Sequence, residues 1–391
     1  MSRADRDRYG SLFVAVGALF VAATCSREGR LEPVSPAGHV APVRSAAPPP
    51  VTPPSATAAL SASTSALPLA APSDVPNPAP APGVAVLRLP NLEHALAGLE
   101  SKKRGDHVRI LWLGDSHTAA DFMTGEVRKK LGERFGVGGP GLVRLGVSSY
   151  RHEGVKLVHE GHFRIEPEPP SRRSTEGDTA LGFEGMRAIP ADARARVEAL
   201  VDARAVRGTV HYELLFDLPP GASFHVAVGG TKHLVDARTH LGHVPGSPIA
   251  RLALEGPPSD PLELGGMTGA PRFYGMLAEG SEPGIVLDTS GIDGARVATA
   301  LAWNADVFAA ELRARRPDLV AIAYGTNEAF DSRRAESIGT ELSALVERVR
   351  RGAPHADCLV IGPPDAAATD FTSLPHVIEI EAVLGQTAAR L

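Results

Sequence analysis

Residues 111–122 read LWLGDSHTAADF, and this short stretch decides the fold. An apolar run ends at Gly114. Asp115 and Ser116 follow directly, and a helical pattern begins after them. A strand that ends in this way places the Ser116 hydroxyl at the carboxyl edge of a sheet, beside a helix N-terminus, where open α/β sheets bind their ligands. Ser116 is therefore a candidate nucleophile, although Asp115 or Ser116 could also serve only to cap the helix.

The strand and loop pattern recurs three more times in the second half of the chain. GIVLDTSGIDGARV (284–297), LVAIAYGTNEAF (319–330) and LVIGPPD (359–365) each predict a buried strand that runs into a glycine-containing loop. Helical patterns lie between them, and such alternation is typical of a mainly parallel sheet with helices on both faces. We therefore predict an α/β fold. In the helix that follows Ser116, apolar residues fall on one helical face, namely Phe122, Met123, Val127, Leu131 and Phe135.

The stretch from 150 to 284 has a different pattern of apolar and polar residues. TVHYELLFDL (209–218), ASFHVAVGG (222–230) and RFYGMLAEG (272–280) alternate apolar and polar residues and are separated by glycine and proline. Such runs are typical of antiparallel strands. We predict an inserted antiparallel β-sandwich over 150–284, which divides the α/β domain into the segments 87–149 and 285–391.

The first 25 residues have the composition of an export signal. Three arginines precede the apolar run GSLFVAVGALFVAAT (10–24), which is shorter than a membrane span, and Cys25 follows it. A small-residue run before a cysteine resembles the lipobox of bacterial lipoproteins, which implies that Cys25 carries a lipid anchor. Secretory cleavage near Ala23 is the alternative. We predict a signal peptide over 1–25 and an exported protein of the periplasm or the outer membrane.

A proline-rich stretch follows the predicted signal. Residues 33–82 hold 14 of the 34 prolines, many alanines and serines, and only two charged residues. Such a composition cannot bury a core and favours an extended chain. We predict a disordered tether over 26–86 that separates the anchor from the folded part.

Three predicted strand ends offer parts of an acyl-transfer site. Acyl transfer through serine needs a nucleophile and donors aimed at the developing oxyanion. Ser116 supplies a hydroxyl and its own N–H, Gly294 can present an N–H with no side chain in the way, and Asn327 can offer a side-chain amide. Taken singly, Gly294 could be a turn glycine, and Asn327 could bond its own backbone.

These three motifs, GDSH, GIDG and GTNE, resemble the first three sequence blocks of the SGNH/GDSL hydrolase family. The resemblance covers 87–145 and 284–380 and implies a flavodoxin-like three-layer α/β/α fold. It also implies that Ser116 is the nucleophile and that Gly294 and Asn327 complete the oxyanion hole.

Less specific features of the sequence resemble one group within this family. GDSHTA, FGVGGPGLV, the long β-rich insert and VIGPPD are similar to periplasmic peptidoglycan O-acetylesterases, which carry a carbohydrate-binding-module-like insert. The expected reaction is therefore removal of O-acetyl groups from a cell-envelope glycan such as peptidoglycan, through an acyl-serine intermediate. A non-catalytic glycan-binding lipoprotein and a polysaccharide O-acetyltransferase are the alternatives.

The sequence departs from the family pattern in one respect. The family's general base lies in a late Asp-x-x-His block, and no such block occurs here. Asp370 and His376 have the wrong spacing, and His117 is adjacent to Ser116 and so is badly placed to face it. Because the chain stops within a helical pattern, we expect the block beyond Leu391, and we expect the chain as written to be nearly inactive.

Composition argues against several other functions. The formal net charge is −5 and no basic block occurs, so nucleic acid is not an expected partner. Two cysteines cannot build a disulfide framework, and the histidines near the insert lack a zinc-ligand pattern. GVGGPG (136–141) matches a dinucleotide fingerprint formally but follows a helix, so we interpret it as a turn near the rim of the site. We predict no metal and no cofactor.

Overall fold

The computed structural model describes most of the chain beyond the proline-rich stretch, that is residues 88–148, 150–364 and 374–391, together with the strand Ala23–Thr24. Within these ranges no helix is both long enough and apolar enough to cross a membrane.

Several predictions fall on residues that the structure does not describe. The predicted lipidation site Cys25, the tether over 26–86 and Asp370 lie outside the described residues, as does the predicted signal peptide apart from its Ala23–Thr24 strand. These assignments stay predictions.

The described residues form seven α-helices and eighteen strands, with a 3₁₀ turn at Glu328–Phe330. The helices are α1 (Pro90–Glu100), α2 (Ser116–Ala119), α3 (Phe122–Phe135), α4 (Val297–Ala302), α5 (Ala305–Arg315), α6 (Ala335–Gly352) and α7 (Pro375–Arg390). The strands are β1 (Ala23–Thr24), β2 (Val108–Gly114), β3 (Val137–Gly139), β4 (Gly141–Val143), β5 (Val155–Glu160), β6 (Phe163–Glu166), β7 (Arg187–Pro190), β8 (Arg196–Val201), β9 (Val210–Asp217), β10 (Ser223–Val228), β11 (Thr231–Val235), β12 (Gly242–His243), β13 (Ala250–Gly256), β14 (Leu262–Thr268), β15 (Arg272–Gly280), β16 (Ile285–Gly291), β17 (Leu319–Ala323) and β18 (Asp357–Ile361).

A mainly parallel sheet lies at the centre of the fold. Its strand order is β1-β18-β17-β2-β16-β3, and every neighbouring pair is parallel except β1 with β18. The first predicted strand, β2, is therefore a central one, with β17 on one side and β16 on the other. The prediction of an α/β fold with a central parallel sheet is confirmed.

Each face of this sheet is covered by its own hydrophobic core. Leu111 and Leu113 of β2 pack with apolar residues of α4 to α7. Ile110 and Trp112, which point the other way, pack with residues of α1 and α3. Alternate residues of one strand therefore reach opposite faces, and the continuous apolar run of β2 is explained by burial on both sides.

The helical pattern is wrong for one residue of α3. Leu131 and Phe135 are buried, but Phe122 is 70 % exposed. The helix begins at Phe122, so its side chain lies at the end of the helix, where the Arg151 guanidinium stacks 4.1 Å from the ring centroid. An apolar period predicts a face, but it does not show how far the facing sheet extends.

The β-rich region contains two antiparallel sheets that share one hydrophobic core. One has the strand order β11-β10-β14-β8-β5, and the other has the order β12-β13-β9-β15-β7-β6 with β4 paired to β15. Phe224 lies between the two sheets and makes edge-to-face contacts with Phe216 and Phe273, each at 5.0 Å between centroids. Residues on the far side of the second sheet, such as Tyr274 and Leu277, join the core of the α/β part.

The glycine-rich stretch 136–141 is not a turn near the rim of the site. Val137 pairs in parallel with Ile285 at the start of β16, and Gly141 pairs with Ala278 of β15. The stretch therefore forms strands at the amino edge of the sheet, opposite the edge that carries Ser116. The sequence pattern gave no indication that Gly141 pairs with β15.

Candidate active site

The three candidate residues follow the ends of three adjacent strands. In the register of the sheet, Gly291 of β16 and Ala323 of β17 both lie opposite Gly114 of β2. Ser116, Gly294 and Asn327 come two, three and four residues after these aligned positions, respectively. The loops that carry them therefore leave the sheet at the same edge and side by side, with the Ser116 loop in the middle.

Asp115, and not Ser116, caps the helix that follows β2. The Asp115 carboxylate is buried and accepts a hydrogen bond from the backbone N–H of His117 at 2.9 Å. Ser116 is the first residue of α2, so its side chain is free of the capping role that the sequence left open. Neither its hydroxyl nor its backbone N–H bonds to any residue in the described ranges.

Two glycines allow α2 to pack directly on the strand ends. A Cβ on Gly114 would stand 2.0 Å from Thr118 Oγ1, and one on Gly291 would stand 2.1 Å from the backbone nitrogen of Ala119. Both distances are far below van der Waals contact. Any side chain at either position would push α2, and with it Ser116, away from the sheet edge.

Gly294 occupies a turn that needs a glycine. Its φ is +73°, in the left-handed region that glycine adopts without strain. The turn is closed by a hydrogen bond from Ala295 N to the carbonyl oxygen of Ile292 at 3.0 Å, and the Gly294 N–H has no acceptor among the described residues. Gly294 is thus a turn glycine that also leaves its N–H available.

Asn327 bonds across to the neighbouring loop and not to its own backbone. Its Nδ2 donates to the carbonyl oxygen of Ala295 at 2.9 Å, directly after Gly294. This bond uses one of the two amide hydrogens on Nδ2 and leaves the other available. The bond also ties the β17 loop to the β16 loop.

Glu328 is a site residue that the sequence reasoning missed. Its buried carboxylate accepts hydrogen bonds from the N–H of Val297 at 2.8 Å and from the N–H of Gly325 at 3.1 Å. It therefore links the β16 loop to the β17 loop. Burial raises the pKa of Glu328 above its usual range, although these backbone donors act against the shift. Its place directly after Asn327 was a signal, but only the structure shows the burial.

Arg144 is a second residue that was missed. Its side chain is buried, and its Nη2 donates to the Gly291 carbonyl oxygen at 3.2 Å and to Ser290 Oγ at 3.4 Å. Nε and Nη1 have no partner among the described residues. Burial lowers the pKa of Arg144. This guanidinium therefore holds the end of β16 where the Gly294 turn begins.

No histidine in the described ranges bonds to Ser116. His117 Nδ1 lies 3.1 Å from Asp115 Oδ1, and its side chain is 51 % exposed. His376, at the start of α7, pairs through Nδ1 with Glu379 at 3.0 Å. The position of the general base therefore stays a prediction.

Comparison with solved structures places this arrangement in a known fold. A structure described as a peptidoglycan O-acetylesterase in action matches with a TM-score of 0.62 and 23 % identity, over 77 % of this chain and 80 % of the other. This chain therefore shares the fold of that structure. The segments 87–149 and 285–391 make up less than half of this chain, so the match has to include the β-rich region.

Two other solved structures match this chain with lower TM-scores. A salicylyl-acyltransferase from a tetracycline biosynthetic pathway matches with a TM-score of 0.23 and 16 % identity, over 63 % of this chain and 78 % of the other. A family two carbohydrate esterase from Clostridium thermocellum, in complex with cellohexaose, matches with a TM-score of 0.17 and 10 % identity, over 55 % and 80 %. No protein-family model and no curated protein sequence matches this chain.

Proposed function

We propose that this protein is an SGNH-type serine esterase that removes O-acetyl groups from a cell-envelope glycan. The observation that carries the proposal is the alignment of Ser116, Gly294 and Asn327 on three adjacent strand ends, with the Ser116 hydroxyl and two backbone N–H groups unbonded within the described ranges. The fold shared with a peptidoglycan O-acetylesterase supports the same assignment.

The reaction follows from the chemistry of these groups. Ser116 Oγ attacks the acetyl carbonyl carbon, and the N–H groups of Ser116 and Gly294 and the Asn327 amide stabilise the oxyanion that forms. Collapse of this intermediate releases the sugar hydroxyl and leaves an acetyl-serine, which water then hydrolyses to acetate. The Ser116 proton passes to a general base, which the family pattern places in an Asp-x-x-His block.

The proposal extends to the architecture and location of the protein. It includes a three-layer α/β/α hydrolase domain interrupted by a β-sandwich over 150–284. It also includes export by the signal over 1–25, a lipid anchor on Cys25 and a tether over 26–86. Such a tether would hold the esterase at a distance from a membrane, within reach of envelope glycans.

The test compares wild-type protein, made from the complete open reading frame, with Ser116→Ala. Acetate release from O-acetylated peptidoglycan and hydrolysis of p-nitrophenyl acetate are measured for both. We expect kcat to fall at least about a thousandfold in Ser116→Ala, because only binding and oxyanion stabilisation remain. Ser223→Ala, at a partly exposed serine of β10 that lies far along the chain from the site motifs, is the matched control and should retain full activity.

The same assay distinguishes the two alternatives. A glycan-binding protein without activity would bind the polymer, release no acetate and show no difference between wild type and Ser116→Ala. An O-acetyltransferase would show Ser116-dependent loss of acetate from p-nitrophenyl acetate and transfer it to an added sugar acceptor in preference to water. Activity that survives Ser116→Ala would contradict the proposed mechanism.

A further inference from the structure

A segment of the β-rich region reaches the turn that carries Gly294. The carbonyl oxygen of Ser171 accepts a hydrogen bond from Thr299 Oγ1 at 2.9 Å, on the first turn of α4. A Cβ built on Gly294 would stand only 3.4 Å from Ser171 Oγ. The residues next to Ser171 in the chain therefore lie on the Gly294 side of the candidate oxyanion hole.

Arg173 of this segment belongs to a three-membered charge cluster. Arg296 makes a two-pronged contact with Asp331, Nε to Oδ2 and Nη2 to Oδ1, both at 2.8 Å. Arg173 reaches the same carboxylate through a single contact, Nη1 to Oδ2, at 3.3 Å. Two guanidinium groups share one carboxylate, so the cluster keeps one net positive charge.

The surplus charge is presented to solvent at Arg173. The Arg296 side chain is mostly covered, and its Nη1 also donates to the Gly294 carbonyl oxygen at 2.9 Å. The Arg173 side chain is 45 % exposed, and its other N–H groups have no acceptor in the described ranges. A guanidinium fork with free donors fits a carboxylate, which it can hold with two parallel hydrogen bonds.

One contact also restricts the head group of Arg173 before any ligand arrives. Asp331 fixes one end of the guanidinium, and the bond between Thr299 and Ser171 fixes the backbone two residues earlier. A side chain that is already ordered loses less conformational entropy when it binds. The cluster thus combines net charge, free donors and order next to Gly294.

We propose that Arg173 binds a carboxylate carried by the glycan close to the ester, and so selects acidic acetylated glycans over neutral ones. This inference rests on the proposed function, since it names a class of substrate for the same site. The carboxylate can belong to a sugar acid or to a peptide attached to the sugar. Arg173 acts in binding and takes no part in acyl transfer itself.

The experiment uses O-acetylated peptidoglycan fragments before and after their carboxylates are converted to methylamides. The uncharged ester p-nitrophenyl acetate is the third substrate. Wild type, Arg173→Gln, Arg173→Lys and Arg194→Gln are compared by kcat/KM. Arg194 is a matched control, since it is 80 % exposed in the same β-rich region and lies 3.9 Å from its own partner Asp192.

We expect Arg173→Gln to lower kcat/KM on the acidic fragments by about tenfold, mainly through KM, with Arg173→Lys intermediate. On the amidated fragments and on p-nitrophenyl acetate it should equal wild type, as Arg194→Gln should on all three substrates. Equal activity of Arg173→Gln and wild type on the acidic fragments, or an equal loss on all substrates, would overturn the inference. Failure of the proposed function looks different, because wild type would then release no acetate from any of them.

Discussion

The side-chain amide of Asn327 donates to the carbonyl oxygen of Ala295, 2.9 Å away in the loop of a neighbouring strand. Because a carbonyl only accepts, this bond fixes the Asn327 nitrogen toward the Gly294 turn and fixes which end of the amide is the donor. Two of the three candidate donors of the oxyanion hole, Asn327 and the Gly294 turn, are thus linked to each other.

This link leads to a prediction for Asn327→Ala. The variant removes a donor aimed at the developing oxyanion, so kcat on p-nitrophenyl acetate should fall about a hundredfold, with little change in KM. The free energy of unfolding should fall by about 1–3 kcal/mol, because the carbonyl oxygen of the buried Ala295 loses this donor. Steady-state kinetics and urea unfolding measure the two quantities.

Asn304→Ala is the matched control for that variant. Asn304 caps α5, where its Oδ1 accepts the N–H groups of Asp306 and Val307, each at 3.0 Å. Its loss should cost about 1 kcal/mol of stability and leave kcat unchanged. A pattern in which Asn304→Ala loses activity and Asn327→Ala keeps it would remove Asn327 from the site.

A second prediction concerns Glu328, whose buried carboxylate links the Gly294 loop to the Asn327 loop. Glu328→Gln replaces one of two acceptor oxygens by an amide N–H₂ group, which then faces a backbone donor, Val297 N or Gly325 N. Leaving a buried donor unpaired should cost about 1–3 kcal/mol of stability. Because the Gly294 and Asn327 loops lose their common support, kcat should fall as well.

Urea unfolding and p-nitrophenyl acetate kinetics measure the two effects of Glu328→Gln. Glu336→Gln, in the exposed first turn of α6, serves as control and should match wild type in both. If Glu328→Gln lost stability and kept full kcat, the role of Glu328 would be confined to folding.

The sequence predicted Ser116, Gly294 and Asn327 as candidate site residues because each follows a buried strand in a local motif, and parallel strands meet at one edge. It did not identify Glu328 or Arg144, since their burial depends on segments distant in the chain. Arg144, for example, meets Gly291 almost 150 residues further along. Phe122 was misplaced for the same reason, because a helical period does not show where the facing sheet ends. Arg173 became visible only once Ser171 was found beside Gly294.

A third prediction concerns acid stability and the charge network at the amino edge of the sheet. Glu279 of β15 contacts Arg315 at 2.5 Å and Arg109 at 2.8 Å. Burial acts to raise the pKa of Glu279, but these two arginines hold it well below the usual range. A lowered pKa in the folded state means that the stabilisation is complete above the unfolded value, about 4.3, and is lost as the pH falls below it.

Glu279→Gln should therefore cost about 3 kcal/mol at pH 7, since it leaves the buried Arg315 and the partly buried Arg109 without this partner. Below pH 4 the difference from wild type should shrink, because wild type loses the same stabilisation there. Urea unfolding between pH 3 and 7 measures it. Glu282→Gln, at an exposed neighbour that lies 3.7 Å from Arg207, should show no comparable dependence on pH.

The opposite pH dependence is expected from Glu184, a carboxyl buried without a hydrogen-bond partner among the described residues. Burial, with the nearby Glu311 carboxylate, raises the pKa of Glu184 to about 8. A raised pKa in the folded state means that wild type is most stable while this group is protonated in both states. Stability should then decline as the pH rises from the unfolded value of about 4.3 toward 8.

Glu184→Gln keeps the shape of the side chain and removes the cost of ionising it. The variant should unfold at the same urea concentration as wild type near pH 4.5 and should be more stable at pH 8.5, by on the order of 5 kcal/mol. Glu255→Gln, at a carboxylate that is 73 % exposed, should follow wild type at both pH values. A constant difference between Glu184→Gln and wild type across this range would mean that Glu184 does not titrate in it.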